Sequence, residues 1–113
     1  MAKKLPDVLS RRLLLAKELP PAQALATAEA YVEAGRVIEA IDFFAKAQAS
    51  ERLAELRAVA VAEGDPFLLR SVVRATREAA THAEWAALAA AAEAAGKEIY
   101  ADDARRQAGR EAG

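Results

Sequence analysis

Tyr31-Val-Glu-Ala-Gly35-Arg-Val-Ile-Glu-Ala40-Ile-Asp-Phe-Phe44-Ala-Lys-Ala47 is the stretch whose reading decides the fold. Tyr31, Ala40, Phe44 and Ala47 recur at helical intervals on either side of one glycine, and that register describes two antiparallel helices joined by a tight turn. Gly35 marks the stop, because glycine enters the left-handed conformation of a helix C-terminus at little cost. Weaker versions of the pattern surround Gly64 and Gly96, at spacings of 29 (35 to 64) and 32 (64 to 96) residues. A period near 30 built from two short helices predicts a helical solenoid.

Proline supplies the matching start signals. Pro6, the Pro20-Pro21 pair and Pro66 fall where helices should begin, since proline has no amide hydrogen to lose at the first helical position. Asp65 reads as the N-cap ahead of Pro66, Thr81 with Glu84 as a capping box, and Ser50 as the cap of a helix beginning at Glu51. Seven helices are predicted, over about 6–18, 21–34, 36–47, 51–63, 66–79, 82–95 and 97–109, with no strand competing for the same residues. The expected apolar faces are Ile38, Ile41, Phe44 and Ala45 in the third helix, Leu53, Leu56 and Ala60 in the fourth, and Leu69, Val72, Val73 and Thr76 in the fifth. One to three residues connect successive helices, which makes them antiparallel neighbours.

Composition supports an all-α reading. Alanine supplies more than a quarter of the 113 residues and aromatics only 5%. Alanine loses no side-chain entropy on entering a helix, and its small size lets helix axes approach to about 8 Å. The length suits one domain, residues 1–113. Sixteen Lys and Arg against seventeen Asp and Glu imply neither a polyanionic nor a strongly cationic target. With no cysteine, disulfides, thiol catalysis and thiolate metal sites are excluded together. The apolar run Leu13 to Ala16 is too short for a signal-peptide core or a membrane span, so the expectation is a soluble, cytoplasmic chain.

These residues resemble the tetratricopeptide repeat. The first hairpin, 21–47, supplies Ala28, Tyr31, Gly35, Ala40, Phe44 and Ala47 at the family's intervals, with Ala24 and Thr27 where its aromatic and leucine belong. The third, 82–109, supplies Trp85, Leu88, Ala89, Gly96, Ala101 and Ala108, with Ala92 and Arg105 at two large positions. The middle hairpin, 51–79, keeps Gly64 and Val73. The resemblance implies a right-handed stack of about three hairpins preceded by an N-terminal helix within residues 1–19.

It also implies a concave face lined by the first helix of each hairpin, where a peptide or partner helix binds. Carried over residue by residue, that face has Leu25 and Val32 from the first hairpin, Ala58 and Val61 from the second, and a polar rim of Glu29, Glu33 and Glu93. The resemblance thus implies a non-enzymatic protein-binding module, an adaptor, scaffold or chaperone-like protein receiving an amphipathic helix in a shallow apolar groove.

Other constellations carry less. Arg70, Arg74 and Arg77 fall at helical spacing on the fifth helix and define the alternative reading, nucleic-acid binding, although acidic residues interrupt the basic face and no stacking aromatics interleave it. His82, at a helix start, reads as a first-turn surface residue, and Asp102-Asp103 point about 100° apart around a helix, so they share one ligand poorly. Tyr31 and Trp85 read as core. No cofactor or metal spacing occurs, and no enzyme activity is expected. In the N-terminal helix, Leu5, Val8, Leu9, Leu13 and Ala16 complete one apolar stripe, so Leu14 and Leu15 are the expected surplus for self-association.

Overall fold

The amphipathic periods and the proline and glycine punctuation fold the described residues as seven helices. The computed structural model describes residues 5–16 and 18–112, with the backbone alone at 111 and 112. The elements are α1 (Val8–Ala16), α2 (Pro21–Glu33), α3 (Val37–Lys46), α4 (Ser50–Glu63), α5 (Pro66–Thr76), α6 (His82–Ala94) and α7 (Glu98–Ala112), and no strand occurs among the described residues. The chain divides into two units, Met1–Leu53 and Ala54–Gly113, with the boundary inside α4.

In the first unit α2 and α3 pack against each other through the deciding stretch. The Arg36 amide donates to the Tyr31 carbonyl at 2.9 Å and the Gly35 amide to Val32 at 3.0 Å, with Gly35 at φ +76, so the orphan carbonyls of the helix end are satisfied by the turn. Ala24, Ala28, Tyr31, Ala40, Ile41, Phe43 and Phe44 are buried. The Tyr31 and Phe43 rings stack with centroids 5.6 Å apart, so the large side chains meet over a floor of alanines. Ile38, expected inside, faces outward, because the apolar stripe of α3 centres on Ala40, Ile41, Phe43 and Phe44. The turn leaving α3 has no glycine. Gln48 takes the left-handed conformation there, at φ +55, while the Ala49 amide donates to the Phe44 carbonyl at 3.0 Å.

In the second unit the Gly64 turn brings two backbones together. The Asp65 amide donates to Ala60 at 2.9 Å, and the Asp65 carboxylate then accepts from the amides of Phe67 and Leu68, both at 3.1 Å, which starts α5 behind Pro66 as expected. The α6–α7 pair turns at Gly96, where the Lys97 amide donates to Ala92 at 2.8 Å. Trp85, Leu88, Ala89 and Ala92 of α6 and Ala101, Ala104 and Ala108 of α7 are buried.

Several boundaries differ from expectation: α1 begins at Val8 rather than 6, α7 runs to Ala112 rather than 109, and the start of α4 and the end of α5 move as well. Ser50 is the first residue of α4 rather than its cap. Helix α5 ends at Thr76, not 79, because Arg77 adopts φ +60 and the Thr76 hydroxyl turns back to donate to the Val72 carbonyl at 2.8 Å. Arg77 therefore lies beyond the helix, and the expected alignment of Arg70, Arg74 and Arg77 on one helix face does not form.

The three turn glycines are not equivalent. A Cβ on Gly64 would sit 2.5 Å from the Ala92 backbone nitrogen and 2.6 Å from its Cα, whereas a Cβ on Gly35 would meet nothing within 4 Å. Both have positive φ, which costs a non-glycine residue about 1 kcal/mol. Gly35→Ala is therefore expected to lower stability by about 1 kcal/mol and Gly64→Ala by about 3 kcal/mol or more, since the backbone of α6 must also shift. Urea denaturation followed by circular dichroism measures both, and equal losses would contradict the close approach.

Candidate functional site

The residues expected to form a binding face are placed by three helices. On α2, Leu25 and Glu33 are exposed and Val32 is half-buried, while the Glu29 carboxylate accepts from the Arg52 guanidinium at 2.7 Å. Arg52 in turn lies over the Phe44 ring, 5.1 Å from its centroid. On α4, Ala58 is exposed and Val61 half-buried, and on α6 Glu93 is exposed and accepts from Arg105 at 2.6 Å. Two of the three rim glutamates are thus held by arginines of the same chain.

Intrachain pairing governs most of the arginines. Arg57 of α4 makes the densest set of contacts. Its guanidinium donates to both oxygens of the Glu84 carboxylate at 2.7 and 2.8 Å and to the carbonyls of Glu78 and Ala79, each at 2.9 Å. Those two carbonyls belong to the non-helical segment that follows α5, so one side chain satisfies backbone acceptors that no helix covers. Glu84 also completes the capping box, accepting from the Thr81 amide at 3.0 Å while its own amide donates to the Thr81 hydroxyl at 3.1 Å. The Arg57 hydrogen bonds, reinforced by the Thr81 amide, hold the Glu84 carboxyl down at about 2.

Arg70 donates to Asp103 at 2.7 Å, lowering the pKa of that carboxyl, and lies over the Trp85 ring at 5.5 Å. Arg36 pairs with Glu39 at 2.7 Å and lies over Tyr31 at 5.1 Å. The basic face expected from Arg70, Arg74 and Arg77 is therefore dispersed. Arg70 joins α5 to α7, Arg74 is exposed in the last turn of α5, and Arg77 lies beyond it.

Helix α1 inverts the expectation for the N-terminal segment. No residue of α1 is buried, and Val8, Leu9 and Leu13, the expected inner stripe, are exposed at 77%, 67% and 59%. Leu14 and Leu15, expected as the surplus, are half-buried. At about 100° per residue Arg11 lies between Leu14 and Leu15 around the helix, and this arginine turns the helix over. Its guanidinium donates to the Glu39 carbonyl at 2.8 Å and to Asp42 at 3.4 Å, and lies 5.7 and 5.5 Å from the ring centroids of Tyr31 and Phe43. An arginine with two rings and a helix carbonyl to engage decides which face docks. Beside it a cleft of about 750 Å³ is lined by Leu5, Pro6, Asp7, Ser10 and Leu14 on one side and Gln23, Ala26, Thr27, Ala30 and Arg36 on the other.

The titratable groups that the sequence singles out each contact a different neighbour. Nδ1 of His82 lies 2.8 Å from the Ala108 carbonyl, which makes that nitrogen the donor and ties the start of α6 to α7. Asp102 and Asp103 accept from different arginines, Arg105 at 2.8 Å and Arg70. Among the described residues no group of three or more His, Cys, Asp or Glu is placed to hold a metal ion, and no helix is long and apolar enough to cross a membrane.

Two measurements check these contacts. The depressed Glu84 carboxyl contributes stability that is complete above about 4.5, its ordinary value, and is lost as pH falls from there through about 2. Glu84→Gln is expected to cost about 2 kcal/mol at pH 7 and only a small fraction of that near pH 2, read from denaturant midpoints across that window. For α1, Arg11→Ala is expected to raise amide exchange across Val8–Ala16 at least ten-fold while α2 and α3 keep their protection, since nine residues are too few to stay helical alone. Unchanged exchange would remove Arg11 as the docking residue. Comparison with known proteins found no matching family model, no curated protein and no solved structure to which this chain is similar.

Proposed function

We propose that this protein is a non-enzymatic protein-binding module, a tetratricopeptide-like stack of helical hairpins that serves as an adaptor or scaffold and receives a peptide or helix. The carrying observation is the distribution of its side chains. Arginines that would grip a polyanion, Arg11, Arg36, Arg52, Arg57, Arg70 and Arg105, are paired with acids of their own chain, while large aliphatic residues stay outside. Such a surface gains by burying apolar area, at about 25 cal/mol per Å², more than by neutralising phosphate. Helices already closed by their caps and turns add preorganisation, so little ordering cost falls on this chain when a partner docks.

The test is affinity capture on the immobilised full chain from lysate of its native source, with Leu25→Glu and Ala58→Glu variants in parallel. Both positions are exposed, so the variants should retain wild-type ellipticity. A protein retained by the wild type and reduced at least ten-fold by either substitution is the expected result. A wild-type chain that retains only nucleic acid, or no macromolecule above background, would overturn the reading.

A further inference from the structure

We infer that the outward face of α1 is a docking surface for an acidic amphipathic helix of another protein, with Arg12 as the residue that selects it. This inference rests on the binding-module reading and specifies the partner's chemistry.

The face is defined by exposure. Val8, Leu9, Arg12, Leu13 and Ala16 are all exposed, and at about 100° per residue they span one side of the helix. The opposite side is held by Arg11, Leu14 and Leu15 against the rest of the first unit. Arg12 lies within the apolar stripe, between Val8 and Leu9 around the helix. It is exposed and engaged by no described residue.

Charge then separates the candidate occupants. Of the acids near α1, Asp7 is committed to the Ser10 amide at 2.7 Å, which lowers its pKa. By sequence, residues 1–19 carry Lys3, Lys4, Arg11, Arg12 and Lys17 against Asp7 and Glu18, and Arg11 is spent on Asp42. Arg12 thus stands in the stripe with no counter-ion among the described residues, so the complementary surface is apolar with a carboxylate opposite Arg12.

A second copy fits poorly. Pairing the stripe with itself, parallel or about a two-fold axis, sets the two Arg12 guanidiniums beside each other. A bilayer fits poorly as well, because an interfacial helix keeps its cations off the apolar face, whereas Arg12 lies within it. An acidic helix meets both requirements, covering the aliphatic residues and pairing the arginine.

The experiment uses the full chain and two synthetic 18-residue amphipathic peptides with the same leucine stripe, one flanked by glutamates and one by lysines. Titration calorimetry should show the glutamate peptide binding at least ten-fold more tightly than the lysine peptide, with backbone amide shifts confined to residues 8–16. Arg12→Glu should invert that order, and Leu9→Asp with Leu13→Asp should abolish binding of both. Failure of the glutamate peptide to bind, an order that Arg12→Glu leaves unchanged, or shifts elsewhere would overturn the inference.

So would dimerisation in sedimentation equilibrium, or binding to vesicles of phosphatidylserine and phosphatidylcholine, if either is lost in the Leu9→Asp, Leu13→Asp variant. A native partner still captured by that double variant would refute the α1 surface while leaving the binding-module reading intact. Absence of any captured protein on the wild type would remove that wider reading instead.

Discussion

Close approach of helix backbones through alanine and glycine is the constraint on which both units depend. With few large side chains available, the helices achieve density by lying near one another, and a handful of bulky groups fill what remains. Tyr31, Phe43 and Phe44 do this in the first unit, and Trp85, Leu88 and Leu69 in the second. The tightest expression is Gly64 against Ala92, where even a methyl group has no room. Such packing tolerates little variation in helix position, so the capping and turn contacts that set where each helix starts and stops carry unusual weight.

Arginine is the second material of this fold. Because alanine surfaces are thin, the aromatic rings remain accessible from their edges and faces, and arginines close over them: Arg11 and Arg36 at Tyr31, Arg52 at Phe44, Arg70 at Trp85. Each such guanidinium also reaches a carboxylate or a carbonyl, and the aliphatic stem covers apolar area on the way. Near-balance of charge across the chain follows from this use. It reflects pairing within the protein for Arg11, Arg36, Arg52, Arg57, Arg70 and Arg105, and the pairing does not extend to Arg12 among the described residues.

Helix number, helix type and most turns were legible in the sequence, because Gly35, Gly64, Gly96, Pro21, Pro66 and the Thr81 capping box act within a few residues of themselves. Burial of Tyr31, Ala40 and Phe44 was legible for the same reason. What escaped was decided by groups distant in sequence. Helix α5 ends early where Arg57, some twenty residues upstream, takes the carbonyls of Glu78 and Ala79. The left-handed turn at Gln48 lacks the glycine that would have announced it. Helix α1 docks by Arg11 rather than by its leucine stripe, because a ring on each of α2 and α3 and a carbonyl on α3 outweigh aliphatic contacts that a periodicity count treats as decisive. Leu14 and Leu15, flanking Arg11 around the helix, were the available signal. Among the residues carried over from the tetratricopeptide pattern, the pairing of Glu29 and Glu93 was not legible, since it depends on Arg52 and Arg105.

The placement of Trp85 has a practical consequence. It is the single tryptophan, buried on α6 and covered by Arg70 of α5, whose other contact is Asp103 of α7. Its fluorescence therefore reports on the junction of three helices in the C-terminal half, while the aromatic hydroxyl chromophore of the N-terminal half is Tyr31. A guanidinium over an indole face also tunes emission, so the intrinsic spectrum of this protein is a built-in gauge of one ion pair.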